Sequence, residues 1–347
     1  MKLAILDDYQ RVALTMADWS SLAGRIAIDV IDRPLAVPDE AARVLAPYDI
    51  VCMLRERTAA PRALIERLPN LKLIAITGAQ HRTLDLAAAT ERGIVVCHTD
   101  TRPGGHTGTP ELAVALMLAS ARRIPQEDRR TRDGRWQGSV GIQLAGRTLG
   151  IVGLGKLGRR VAKVAQAMEM TVVAWSQNLT DAAAAEAGVR RVEKDELFRV
   201  SDVVSLHLVL SERTRGVVGA RELSLMKPTA HIVNTARGPL IDEAALIAAL
   251  RERRIAGAGL DVYWQEPVPK DHPLLGLDNV VLTPHLGYVV EESYRAFYGD
   301  VVENVAAWLD GRPIRVSNPE TVAQQAGRDP DGPLRSAPVK QQRSSPG

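Results

Sequence analysis

"LAGRTLGIVGLGKLGRRVAKVAQAMEMTVVAWSQ", residues 144–177, decides how the whole chain is read. An apolar run, LGIVG, leads into GLGKLG at 153–158, and the helix-periodic RRVAKVAQAM follows, so three glycines stand at a strand-to-helix turn. There Gly153 permits a tight bend, Gly155 lets the backbone approach a pyrophosphate, and Gly158 allows close packing of helix on strand. The first helical residues, Lys156, Leu157 and Gly158, offer unpaired N–H groups and the positive end of the helix dipole to phosphate. A GxGxxG run alone also fits an empty turn of the same shape. The next strand, MTVVAW, strengthens the dinucleotide reading. It ends at Ser176, 18 residues past Gly158, where a ribose-binding residue belongs, although an acid is the usual residue there.

The alternation of strand and helix extends in both directions. Upstream, KLAIL, IAIDV, DIVCML, LKLIAIT and GIVVC read as buried parallel strands, with PDEAARVLAPY, PRALIERLPN and TLDLAAATERG as helices between them. That pattern predicts a doubly wound α/β unit. A glycine-rich loop, TDTRPGGHTGTP, a long helix over ELAVALMLASARRI, and a polar arginine-rich stretch, PQEDRRTRDGRWQGSVGIQ, separate it from the glycine turn. From residue 147 onward, TLGIVG, MTVVAW, DVVSLHLV, HIVNTA, AGAGLDV and NVVLTPH predict a second such unit. A last helical pattern, EESYRAFYGDVVENVAAWLDG, ends at Gly311. Beyond Asn318 the chain is polar, with little to bury, and is expected to be disordered.

Composition narrows the function. The 347 residues are 46% hydrophobic and 24% charged, a globular balance with room for two domains. Net charge is +3 and the arginines are scattered, so no nucleic-acid partner is expected. Cys52 and Cys97 each sit in an apolar run without CxxC spacing, which reads as core packing and not as a disulfide or metal site. The opening MKLAILDDYQ turns acidic by position 7 and no apolar run approaches membrane length. A cytoplasmic protein without a membrane span is expected.

Further blocks follow the glycine turn in a fixed order: SLHLVLSERTRGVV, LMKPTAHIVNTARGPLIDEAAL, GAGLDVYWQEP and LTPHLG. Together with LAGRTLGIVGLGKLG they resemble the D-isomer-specific 2-hydroxyacid dehydrogenases, over about residues 50 to 315. The resemblance implies two Rossmann-like doubly wound parallel-sheet domains with the active-site cleft between them. Residues 1–105 and 286–318 would form a discontinuous substrate-binding domain around an NAD(P)-binding domain of 106–285, with a disordered tail at 319–347. It also implies NAD(P) as cofactor, a D-2-hydroxy acid and its 2-keto acid as the interconverted pair, and a homodimer with the helix after Pro110 in its interface. Hydroxypyruvate or glyoxylate reduction and phosphoglycerate oxidation are the nearest activities. The residues after the last helical pattern are too few for the regulatory domain of long phosphoglycerate dehydrogenases, so feedback control through such a domain is not expected.

The blocks also carry the candidate site. Arg237 in NTARGPL follows a strand, where its guanidinium can grip a carboxylate bidentately, although Asp242 and Glu243 are alternative partners. His285 in TPHLG is the expected acid–base group, with Glu266 of WQEP on its far ring nitrogen fixing the tautomer. By resemblance, Thr235, Ala236 and His207 lie near the cofactor, and Asp261 in GLDV accepts from the nicotinamide carboxamide. For His207 a satisfied buried histidine, and for Asp261 a strand-end turn, are the structural alternatives. Gly78 and Ala79 fall where relatives bind the substrate carboxylate through backbone N–H groups. Arg55 in LRERT stands where phosphoglycerate-type members hold a second anion, unless it pairs with Glu56 or Glu91. Tyr288 and YRAFY replace the small residue that commonly follows PHxG. Two other classes compete. A dinucleotide-sensing corepressor-like scaffold would share the fold without turnover, and an S-adenosylmethionine-dependent methyltransferase would share only the glycine turn.

Overall fold

A computed structural model describes residues 1–79, 81–100 and 108–326. The glycine-rich loop 101–107 and the tail 327–347 therefore lie outside the described residues. The chain divides into two compact units, Met1–Thr101 with Arg295–Gly347, and Arg102–Tyr294.

In the first unit, short apolar runs form β1 (Lys2–Leu6), β2 (Ala27–Ile31), β3 (Ile50–Met53), β4 (Leu73–Ile76) and β5 (Val95–Cys97). They pair in parallel in the order β2-β1-β3-β4-β5. Both faces are covered, so every residue of β3, β4 and β5 is buried, while β2 at the edge stays partly exposed. That is why central strands read as continuous apolar runs and not as alternation. The strand order reverses between β1 and β3, which makes their carboxyl ends a switch point.

The polar chain after Asn318 is not disordered from its start, since Pro319–Ala326 is a helix. Asn318 is fully buried and explains the difference. Its side-chain oxygen accepts from the Val96 amide at 2.9 Å, and its Nδ2 donates to the Ile94 carbonyl at 2.9 Å and Thr321 Oγ1 at 3.0 Å. One anchored asparagine holds a segment that composition alone leaves loose.

The second unit is built on β6 (Thr148–Val152), β7 (Thr171–Trp175), β8 (Arg190–Arg191), β9 (Val203–Leu206), β10 (His231–Asn234), β11 (Gly257–Leu260) and β12 (Val280–Leu282). All pair in parallel, in the order β12-β11-β10-β9-β6-β7-β8, with the reversal between β6 and β9. Two apolar clusters pack the unit, one including Phe198, Leu246 and Leu250, the other Leu116, Met117 and Val161. β8 escapes the sequence reading because it is two arginines at a sheet edge, flanked by buried Val189 and Val192. The arginine-rich stretch expected as a connector contains a helix, Ile124–Arg132, which buries no residue and carries an Asp128–Arg132 pair at 2.9 Å.

The unit ends at Tyr294 and not, as expected, at His285. The reason is local. The amides of Leu286 and Gly287 donate to Asp261 at 2.6 and 2.9 Å, and Thr109 Oγ1 donates to the Gly287 carbonyl at 2.8 Å. These bonds tie the residues after His285 to the second unit. Among the described residues, no helix is long and apolar enough to cross a membrane.

Two histidines stand at this sheet, His231 buried and His207 half-buried. His231 Nδ1 meets Ser120 Oγ at 2.7 Å and His207 Nε2 meets Ser205 Oγ at 2.9 Å. Burial lowers both from 6.5 to about 4, with Arg123 adding to the effect at His231. A depressed histidine stabilises the fold fully above its unfolded value, and that contribution is lost as pH falls through the folded one. Urea midpoints should therefore drop as pH falls from 6.5 towards 4, and His231→Gln should flatten that slope. An unchanged slope in the variant would remove His231 from this account.

Candidate active site

Every candidate in the second unit hangs from the carboxyl end of a strand. At the end of β6, Gly153 adopts φ +103, and a Cβ there would lie 2.9 Å from the carbonyl carbon of His207. A Cβ on Gly158 would stand 2.3 Å from the Gly153 carbonyl oxygen, so the helix Lys156–Ala167 packs as close to the strand as backbone allows. A Cβ on Gly155 would meet nothing within 4 Å. No side chain caps this helix, which leaves the amides around Lys156 and Leu157 facing that open space. The three glycines thus divide the labour as their spacing suggests: turn, room and close approach.

Two more features fit a dinucleotide. Thr235, just past β10, is buried with its hydroxyl unpartnered among the described residues. Ser176, just past β7, is half-buried and its carbonyl accepts from the Leu179 amide at 3.0 Å. The cations nearest in sequence are committed. Arg191 Nε donates to the Leu179 carbonyl at 3.0 Å and its Nη2 to Glu193 at 2.9 Å, while Arg190 pairs with Glu196 at 2.8 Å. His207 sits at the end of β9, beside the Gly153 turn, half-buried and with Nε2 2.9 Å from Ser205 Oγ.

The chemistry-bearing side chains follow β10, β11 and β12, which are neighbours in the sheet. Asn234, at the end of β10, accepts from the Ala236 amide at 3.0 Å and donates to the Arg237 carbonyl at 2.9 Å, folding the turn that presents Arg237. Arg237 Nη1 donates to the Ala236 carbonyl at 2.7 Å. Its alternative partners are engaged elsewhere: Asp242 caps a helix through the Ala245 amide at 2.8 Å, and Glu243 meets His272 at 2.7 Å. Gly238 packs so tightly that a Cβ would lie 2.2 Å from the Tyr263 carbonyl carbon, which sets the arginine turn directly against the segment leading to Glu266.

Glu266 Oε2 lies 2.6 Å from His285 Nδ1, with 24% of the carboxylate side chain and 19% of the imidazole exposed. The other oxygen, Oε1, accepts from the Tyr263 amide at 3.0 Å. The carboxylate thus takes the Nδ1 side of the imidazole. Tyr288 stands edge-on to that ring at 5.8 Å, and Tyr294 lies 6.3 Å beyond it. Asp261, expected to meet the nicotinamide carboxamide, is fully buried and accepts from Thr283 Oγ1 at 2.7 Å and from the amides of Leu286 and Gly287. Burial pushes its carboxyl up, against these bonds and the nearby His285. Sequence reasoning passes over Asn234 and Tyr263. An asparagine before a turn is a signal that could have marked the first, whereas nothing in the sequence marks the second.

In the first unit, Arg55 and Gly78 follow β3 and β4. Gly78 has φ +97, and the Arg55 guanidinium covers it so closely that a Cβ would lie 1.8 Å from Nη1. Arg55 also lies over the Phe297 ring at 5.8 Å, while Glu91, its alternative partner, is bound by Arg62 at 2.6 Å. The Gly78 amide, expected to serve a carboxylate, donates to buried Thr99 Oγ1 at 2.6 Å, whereas Ala79 is exposed. The reason is that β5 ends beside β4 and brings Thr99 under the glycine.

Residues 114–287 match the NAD-binding domain of the D-isomer-specific 2-hydroxyacid dehydrogenases. The chain is 39% identical over 280 residues to a D-3-phosphoglycerate dehydrogenase of Archaeoglobus fulgidus, covering 80% of this chain and 52% of the relative. It is 33% identical over 327 residues to a hydroxypyruvate reductase of Blautia hydrogenotrophica, covering 92% and 100%. An oxidoreductase structure from Ralstonia solanacearum superposes with a TM-score of 0.87 at 36% identity, covering 94% of this chain and 99% of that one. The protein belongs to the D-isomer-specific 2-hydroxyacid dehydrogenase family, and its cofactor class is NAD(P). It spans about half the length of the phosphoglycerate dehydrogenases it matches.

The glycine geometry separates two substitutions. Gly158→Ala forces a Cβ against the Gly153 carbonyl and should cost about 1–3 kcal/mol of stability, read as a lower Tm. Gly155→Ala meets no atom and should leave the Tm of the cofactor-free protein unchanged, while weakening NAD(P)H binding roughly tenfold or more. Unaltered NAD(P)H affinity in Gly155→Ala would remove the pyrophosphate from this turn.

Proposed function

We propose that the protein is an NAD(P)-dependent D-2-hydroxyacid dehydrogenase acting chiefly as a reductase of small 2-keto acids of the hydroxypyruvate and glyoxylate type. The observation that carries this reading is the 2.6 Å contact between Glu266 and His285, next to the strand-end arginine turn. Arg237 grips the substrate carboxylate and polarises the adjacent carbonyl. His285, with Glu266 on its Nδ1, gives its Nε2 proton to the carbonyl oxygen, and in the reverse direction takes that proton from the hydroxyl. When bound, the reduced nicotinamide supplies the hydride. Thr235 and the first turn of the helix after Gly155 hold the dinucleotide, and Ser176 its ribose. Arg55 and the Ala79 amide serve the substrate's anionic groups.

A cytoplasmic homodimer accords with this reading. Trp136 is 78% exposed and Val140 93%, and both border grooves along the helix Gly108–Arg122 that share Arg122 and Gly141. A second copy of the chain is the proposed cover for these side chains. Both cysteines are free and buried, and burial pushes their thiols up to about 12.

Two experiments test the chemistry. His285→Ala should lower kcat by about a hundred- to ten-thousand-fold, the range for a lost acid–base group. Arg237→Ala should raise KM for the keto acid as well as lower kcat, because one guanidinium both binds and polarises. Near-normal rates in either folded variant would defeat the assignment.

Cofactor choice is the second test. Ser176 offers a hydroxyl where an acid would repel a 2′-phosphate, yet Arg191 is already shared with Glu193. Both cofactors should therefore be used, with NADPH preferred modestly. Ser176→Asp should swing preference to NADH through the KM for NADPH. A wild type that favours NADH at least tenfold would overturn the NADPH preference alone.

A further inference from the structure

The residues that carry Glu266 and His285 leave the sheet by separate routes. β11 and β12 pair in parallel as far as Leu260 and Leu282, and the last backbone bond between them runs from the Thr283 amide to the Leu260 carbonyl at 2.9 Å. Beyond it the two chains diverge, one towards Glu266 and the other into a turn where His285 adopts φ +56. Left-handed backbone is unfavourable for a histidine, so the turn needs external support.

Two side chains from the β11 extension provide it. Asp261 accepts from Thr283 Oγ1 and from the amides of Leu286 and Gly287, bracketing His285 on both sides. The Tyr263 hydroxyl reaches the Thr283 carbonyl at 2.9 Å and the Leu260 carbonyl at 3.2 Å. The same Thr283 carbonyl accepts the His285 amide at 3.0 Å. At its other end, the Tyr263 amide donates to Glu266 Oε1 at 3.0 Å. One residue thus bonds to Glu266 and to the strand end that carries His285. Burial and the carboxylates of Asp261 and Glu266 push the phenol well above its usual range, so it remains a donor.

We infer that Tyr263 is a positioning residue for the Glu266–His285 pair: its amide fixes the carboxylate, and its hydroxyl extends the sheet ladder by one bond to fix the strand end from which the imidazole hangs. Asp261 secures the far side of the same turn. The inference rests on the acid–base role proposed above for His285. An imidazole in that role must keep Nε2 within tenths of an ångström of its working place, and the Nδ1 bond orients the ring only if both partners' backbones are held together.

Tyr263→Phe tests this, because it removes one oxygen and leaves the amide on Glu266. With 2-keto acid and NAD(P)H, kcat should fall about three- to tenfold, the effect of one ordinary hydrogen bond, with KM for the keto acid within about twofold. A second readout needs no turnover. In protein with isotope-labelled imidazole nitrogens, assigned through His285→Asn, wild-type His285 should hold its neutral-form proton on Nδ1, and Tyr263→Phe should move part of that population to Nε2. Unchanged kcat and unchanged nitrogen shifts in the folded variant would make the hydroxyl merely structural, even if the Tm drops. If the wild type reduces no 2-keto acid, the proposed function fails, while the nitrogen shifts still decide whether Tyr263 sets the ring.

Discussion

A parallel sheet can be wound only with its connections across the faces, so every strand ends at the same edge. That constraint assembles the second unit. Gly153, Ser176, Thr235, Arg237, Asp261 and His285 each stand within a few residues of a strand's carboxyl end, and the order β12-β11-β10-β9-β6-β7-β8 lays those ends side by side. The strand reversal between β6 and β9 opens the crevice at the glycine turn. The Glu266–His285 pair comes from the other half of the same edge. Side chains that are remote in sequence become neighbours because the ladder leaves them no other place.

Past the last ladder bond, polar atoms must find other partners, and here the molecule uses side chains in place of a strand. Asp261, Tyr263 and Asn234 each bond to backbone groups that the sheet no longer satisfies. A fully buried carboxylate such as Asp261 is costly unless bonded, and its three donors offset that cost. The carboxylate and the turn therefore depend on each other. Close backbone packing completes the frame, with Gly158 against Gly153 on one side and Gly238 against Tyr263 on the other.

Charge is distributed unevenly around this frame. Near the end of β7 the cations are neutralised, Arg190 by Glu196, Arg191 by Glu193 and Lys194 by Glu222 at 2.8 Å. A phosphate clamp works best with an uncommitted guanidinium, so these pairings limit how strongly an added 2′-phosphate can be preferred here. In the first unit, the Arg55 guanidinium closes over Gly78 and stands 5.8 Å from the centre of the Phe297 ring.

Among the described residues, eleven of the twelve strands and the glycine turn were legible in the sequence, because local apolar runs and glycine spacing are properties of a few consecutive residues. β8 was not, being two arginines whose strand pairing depends on β7 alone. The helix after Asn318 was not either, since its anchor is a single buried amide bonded to β5 and its approach. The amide of Gly78 and the carboxylate of Asp261 were matched to ligands by motif; the bonds they make to residues brought in from neighbouring strand ends were not legible. Sequence by itself determined the elements and the residue types at their ends. Only the tertiary structure decided which polar atoms remain for a ligand, because hydrogen-bond partners are assigned by proximity across strands, and that proximity exists only once the sheet has formed.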